Sequence, residues 1–104
     1  QSSADIRKKV MVAREMQKER FKDQPTGTNA HMSSRQVKKY CVMDKDTEAL
    51  LYQAMTELGL SARGHSKILK VGRTIADLDE SDHIKIEHVS EAIQYRSLDR
   101  GLWK

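Results

Sequence analysis

Four histidines (His31, His65, His83 and His88), one cysteine (Cys41) and 15 carboxylates are the side chains of this sequence suited to metal binding, nucleophilic attack or proton transfer. Their spacing does not assemble a site. His83 and His88 straddle a turn and Cys41 has no second cysteine near it, so no metal ligand set is assigned. The closest acid pairs, Asp44/Asp46 and Asp79/Glu80, fall where helix caps and a polar turn belong, and read as caps and solvated charges rather than a general acid and base. No G-x-x-x-x-G-K-[ST], G-x-G-x-x-G or H-E-x-x-H occurs. The chain alone is therefore not expected to be an enzyme.

The basic residues say more. A helix is expected over about residues 61–78, with Ser61 as its N-cap. At roughly 100° per residue, Ile68, Val71, Gly72, Ile75, Ala76 and Leu78 share one side. Arg63, Lys67 and Lys70 fall in a narrow stripe on the other, with Arg73 at its margin. Arg63 sits in the first turn, where the dipole and free N–H groups already present positive charge; a cation there costs roughly a few tenths of a kcal/mol. At the far end Asp77, Asp79 and Glu80 crowd the negative pole. Two readings of Arg63 are open: it meets an anion such as a phosphate, or it pairs with a neighbouring acid. Gly72, mid-helix, costs about 1 kcal/mol relative to alanine, which a tight helix–helix contact would explain.

The other elements must position these groups. Residues 4–20 read as a helix capped by Ser3, with Ile6, Val10, Ala13 and Gln17 on one face. That stripe is thin, so this helix should lean on a larger body. A break follows from Lys22 to Asn29, with Pro25 and Gly27. Short helix 34–40, capped by Ser33 or Ser34, precedes helix 45–58, capped by Asp44 and ended by Gly59. Ile84 and Ile86 alternate with polar residues as a brief extended piece, and a last helix over 87–96 buries Val89, Ala92 and Ile93. The sum is an all-α bundle of about five helices: leading helix 1–21, loop 22–33, helical core 34–96 and tail 97–104, the tail ending in an exposed-looking Leu102-Trp103.

Composition narrows the class. With 104 residues the chain is one small domain with a modest core. Only 5% of it is aromatic, against stacking surfaces for single strands or sugars. One cysteine excludes an internal disulfide framework and fits a reducing compartment, hence a cytoplasmic location. No apolar run approaches membrane-spanning length, so no membrane is expected as a partner. Gln1-Ser2-Ser3, with neither Met nor an apolar leader, suggests a piece of a longer chain. The net charge of +4 is uneven: residues 1–40 carry ten basic and four acidic side chains (+6), and residues 41–104 nine and 11 (−2). A basic half invites nucleic acid, or else marks a solvated charged helix.

The run from Leu60-Ser61-Ala62-Arg63-Gly64-His65-Ser66-Lys67 through Ile68-Leu69-Lys70-Val71-Gly72-Arg73-Thr74-Ile75-Ala76-Asp77-Leu78 resembles the C-terminal signature of magnesium-chelatase-like AAA+ ATPases of the YifB/ComM competence-protein family. Ile6-Arg7 through Ala13-Arg14 and Gln17, then Asn29-Ala30, then Glu91 to Arg100 agree in order, so the resemblance covers about residues 5–100. It implies an AAA+ lid: a helical domain packing over ATP and Mg2+ held by a nucleotide-binding core domain of the same polypeptide, with no nucleotide expected on this piece alone. An arginine near the start of one lid helix, sensor 2, reaches the phosphates; among the matching positions that role falls to Arg63. Lys67, where arginine is expected, keeps the charge but loses the planar fork and is a weaker phosphate contact. Arg73 is assigned an interdomain or intersubunit contact, with an exposed arginine on the polar face as the alternative. Gly72 stands where alanine is usual. The resemblance further implies a homo-hexameric parent ATPase, and the ComM-type signature favours a DNA motor for branch migration in recombination over porphyrin metallation. The alternatives are a free-standing helical DNA-binding protein and an oligomerisation module.

Overall fold

The computed structural model describes residues 3–22, 24 and 26–98. Among them the chain forms five α-helices and no strand: α1 (Ser3–Arg20), α2 (Ser34–Tyr40), α3 (Lys45–Leu58), α4 (Ala62–Leu78) and α5 (Ile86–Leu98), with a 3-10 turn at Asn29–His31. The expected all-α class is what the chain adopts. The last helix begins one residue earlier and runs two residues longer than its sequence pattern indicates. Leu102-Trp103 lies outside the described residues.

Side-chain caps set three of the helix starts. Ser33 accepts the Gln36 amide, and the Gln36 side chain returns a bond to the Ser33 amide, a full capping box that starts a helix of only seven residues. Asp44 accepts the Thr47 amide at 2.8 Å and Ser61 the Gly64 amide at 3.3 Å. Two helix ends share one geometry. Gly59 closes α3 in the left-handed region (φ 63°), with the Leu60 amide reaching back to Met55 O. After α4 the left-handed position is Glu80 (φ 53°), with Ser81 N bonded to Ala76 O and Glu80 N to Asp77 O. The second turn is the same motif built without glycine.

α4 is the central element: it packs on α1, α2, α5 and the 3-10 turn, while α3 also packs on α5. Its buried residues are Gly64, Ile68, Leu69, Gly72, Arg73, Ala76 and Asp77. Of these, Ile68, Leu69 and Ala76 join Leu51, Ile84, Val89 and Ala92 in one core; each fully buried Leu, Ile or Val contributes about 1.5–3 kcal/mol. The inward face of α4 is thus rotated by about a quarter turn from the apolar side read in the sequence. Arg73 and Asp77 occupy core positions, which a reading by hydrophobicity assigns to solvent. Gly72 does not mark a close helix–helix approach. It faces Ile84 in the α4–α5 connection, and a Cβ placed there would sit 3.5 Å from Ile84 Cγ2, an ordinary contact.

The brief extended piece expected over Ile84 and Ile86 does not reach Ile86, which opens α5; Ile84 precedes the helix in the connection. Ile84 is fully buried, and its amide donates to Val42 O at 2.9 Å, tying the α4–α5 connection to the one before α3. α1 behaves as its thin stripe implies, burying only Ala13 while Ile6 stays 50% exposed. No helix is long and apolar enough to cross a membrane among the described residues.

Candidate functional site at the start of α4 and the charged core behind it

Arg63 is the second residue of α4 and is exposed. Among the described residues it has no ion-pair partner. Around it the first turn of α4 offers backbone N–H groups toward solvent, with the Gly64 amide taken by Ser61. Lys67 lies one turn further on the same face and, like Lys70, is half-buried. His65 turns the other way, into an apolar groove between α2, α3 and α4 floored by Val37, Leu51, Met55 and Leu69. Burial there pulls its pKa below the ordinary histidine value. The arrangement is a guanidinium beside a helix N-terminus, with a second cation one turn away: a geometry that receives an anion.

Arg73 is elsewhere. Only 2% exposed, it lies neither on the polar face nor at a surface where another domain or subunit could meet it. Its guanidinium pairs with Asp77 at 3.1 Å and donates to the carbonyls of Ser81, Asp82 and Tyr40. Arg73 therefore fastens the turn after α4 to its own helix and to the end of α2. Burial acts against its charge and the Asp77 carboxylate acts for it. Among the described residues its Nε is buried without a hydrogen-bond partner.

Asp77, fully buried, is the hub. Arg20 Nη2 donates to its Oδ1 at 2.7 Å and Arg20 Nη1 to its Oδ2 at 2.8 Å; Asn29 Nδ2 adds a further bond to Oδ2 at 2.8 Å. Asn29 in turn accepts from Arg20 at 2.8 Å, donates to Thr74 at 3.1 Å and gives its amide to the Gln17 side chain at 2.9 Å. Arg20 also lies 5.9 Å from the ring centroids of both Phe21 and Tyr40. So α1, the 3-10 turn and α4 meet on one carboxylate. Opposite charges at positions 73 and 77, in register with Leu69, Gly72 and Ala76, are the sequence signal that could have revealed this pair. Nothing local points to Arg20 as the third member.

Asp79, Glu87 and His88 bring potential ligand atoms within 4.8 Å of one another. His88 is already occupied: its Nδ1 accepts the Lys85 amide at 2.9 Å, so the ring proton sits on Nε2 and is donated to Asp79 at 3.0 Å. A metal at Nε2 would move that proton to Nδ1, against a backbone N–H. His88 is instead the reciprocal half of a capping box at the start of α5. Its bond holds the Asp79 carboxyl below the ordinary range. Cys41 is buried, its thiol pushed up to about 11 by burial, which suits a packing role rather than a nucleophile.

Residues 1–96 match the family described as magnesium chelatase, subunit ChlI C-terminal, and the chain belongs to it. Among curated proteins it is similar to YifB of Salmonella typhimurium and YifB of Escherichia coli, each 41% identical over 102 residues, which is 98% of this chain and 19% of either relative. It is also similar to competence protein ComM of Haemophilus influenzae, 38% identical over 104 residues, all of this chain and 20% of that protein. The chain thus spans about a fifth of the length of the curated relatives it matches.

Proposed function

We propose that this chain is the helical lid of a magnesium-chelatase-like AAA+ ATPase, and that Arg63 is its sensor of bound nucleotide. The observation that carries the reading is the exposure of Arg63 at the start of α4, without an ion-pair partner among the described residues. The lid closes over ATP and Mg2+ held in a core domain of the same polypeptide, and the guanidinium meets the phosphates with the α4 N–H groups behind it. Lys67 is a weaker second cation, a point charge rather than a fork. The buried hub at Asp77 keeps α4 in one orientation relative to α1, so that Arg63 is presented in a fixed direction.

The parent is read as a homo-hexameric cytoplasmic DNA motor acting in recombination. Similarity to a protein named for competence supports DNA rather than porphyrin as its substrate. In the longer protein, Arg63→Ala should lower the ATPase turnover by about tenfold or more, the effect of losing a charge-assisted phosphate contact, and leave the folding of this domain unchanged. Unaltered ATPase kinetics would remove Arg63 from the mechanism.

A further inference from the structure

Asp77 meets more cations than its charge requires. Arg73, one turn before it and buried, reaches its carboxylate at 3.1 Å and neutralises it within α4 itself. Arg20 nevertheless brings a second guanidinium to the same group, with its own side chain only 11% exposed. Charge balance does not call for it. What a fork adds to a point charge is direction, because two parallel N–H···O bonds fix the angle between the elements that carry them. That angle is otherwise weakly set. α1 buries only Ala13, and a groove lined by Ile6, Val10, Ile75 and Tyr95 runs between its first half and helices α4 and α5. At its other end α1 is held by Gln17 on the Asn29 amide, by Arg20 on Asp77, and by buried Phe21 edge-on to Tyr40, ring centroids 5.5 Å apart.

Asp77 and Arg63 stand at opposite ends of α4, nearly four turns and thus roughly 21 Å apart along its axis. A tilt of about 10° between α1 and α4 at the Asp77 end carries the Arg63 end sideways by about 4 Å. A charge-assisted bond of about 2.7–2.9 Å does not survive that displacement. The family is a C-terminal one, so the preceding polypeptide of a longer member enters through α1. We infer, on the reading of Arg63 as the phosphate sensor, that Arg20 is its positioning residue. By forking onto Asp77 it fixes α4 on α1, and so holds Arg63 in reach of a nucleotide bound by the rest of the polypeptide. Arg20 itself touches no phosphate.

The preference of the longer protein for ATP over ADP, measured at equilibrium with fluorescent analogues of both, tests this. Arg20→Ala should lower the preference about fivefold or more. Arg20→Lys, which keeps the charge but loses the fork, should lower it nearly as much. In the Arg63→Ala background neither change should lower it further. Residues this far apart ordinarily act additively, so the missing second loss is diagnostic. Circular dichroism checks folding, and if Arg20→Ala does not fold the milder lysine variant carries the comparison. A loss of equal size with and without Arg63 would overturn the assignment, since a purely structural role weakens both backgrounds alike. So would a preference unchanged by Arg20→Lys. Either result leaves the sensor standing when Arg63→Ala alone abolishes the preference. If Arg63→Ala leaves the preference intact, the sensor reading fails and the role of Arg20 falls with it.

Discussion

Arg20, the last residue of α1, closes a two-pronged bond on Asp77 of α4 across 57 positions of sequence, with both N–O distances below 2.9 Å. This contact orients the otherwise lightly packed α1. It also leaves Asp77 shared between two arginines, since Arg73 approaches the same carboxylate from one turn away.

That sharing orders the effects of substitution. Asp77→Ala leaves the buried Arg73 uncompensated and should cost about 3–5 kcal/mol. Arg20→Ala leaves a neutral Arg73–Asp77 pair and should cost less, about 1.5–3 kcal/mol for lost charge-assisted bonds. Urea unfolding followed by circular dichroism reads both. A domain of this size has about 5–15 kcal/mol in total, so Asp77→Ala should lie near the folding limit. An Arg20→Ala cost above that of Asp77→Ala would contradict the hub.

Two backbone positions should accept stabilising changes. Gly72→Ala adds a Cβ at ordinary distance from Ile84 and removes unfolded-state entropy, a gain of about 0.5–1 kcal/mol. Glu80→Gly relieves a left-handed non-glycine residue by a comparable amount, about 1 kcal/mol. Gly59→Ala, at φ 63°, should destabilise by about 1 kcal/mol. Thermal unfolding of the three variants gives the signs.

The Asp79–His88 bond sets an acid response. The folded-state pKa of Asp79 lies below its ordinary value of 3.8, so its contribution is complete above that value and is lost as pH falls through the lower, folded one. The melting temperature of the natural chain should exceed that of Asp79→Ala by a constant margin above about pH 5, and the margin should close between about pH 4 and pH 2. A margin that widens on acidification would show that the carboxylate is not the stabilising form.

Cys41 should be nearly inert. A thiol moved from 9.0 to about 11 has about a hundredfold less thiolate at pH 8. Its reaction with an aromatic disulfide reagent should therefore be at least about a hundredfold slower in the folded chain than in urea. Equal rates would place the sulfur at the surface.

The helices were legible because their ends are chemically explicit: Ser33, Asp44 and Ser61 each cap with a side chain, and Gly59 supplies the left-handed turn. The α4 interior was not, because hydrophobic periodicity cannot see a core position filled by Arg73 or Asp77. Their partner Arg20 ends a polar helix, and Asn29 lies in a loop, so only the folded chain brings the four together. Arg63 stands out in the sequence for the opposite reason: a cation at a helix start opposes the helix dipole, and its function there is a proposal. The resemblance to the family marked the same residue by a separate route, but it gave Arg73 a surface role that burial denies.

The most direct measurement is the discrimination between ATP and ADP by the longer protein, with and without Arg63, using fluorescent nucleotide analogues at equilibrium. If Arg63 meets the terminal phosphate, Arg63→Ala should weaken the triphosphate by about tenfold or more and the diphosphate much less; Arg63→Lys should fall between them. Equal loss for both nucleotides, or none for either, would contradict Arg63 as the phosphate sensor.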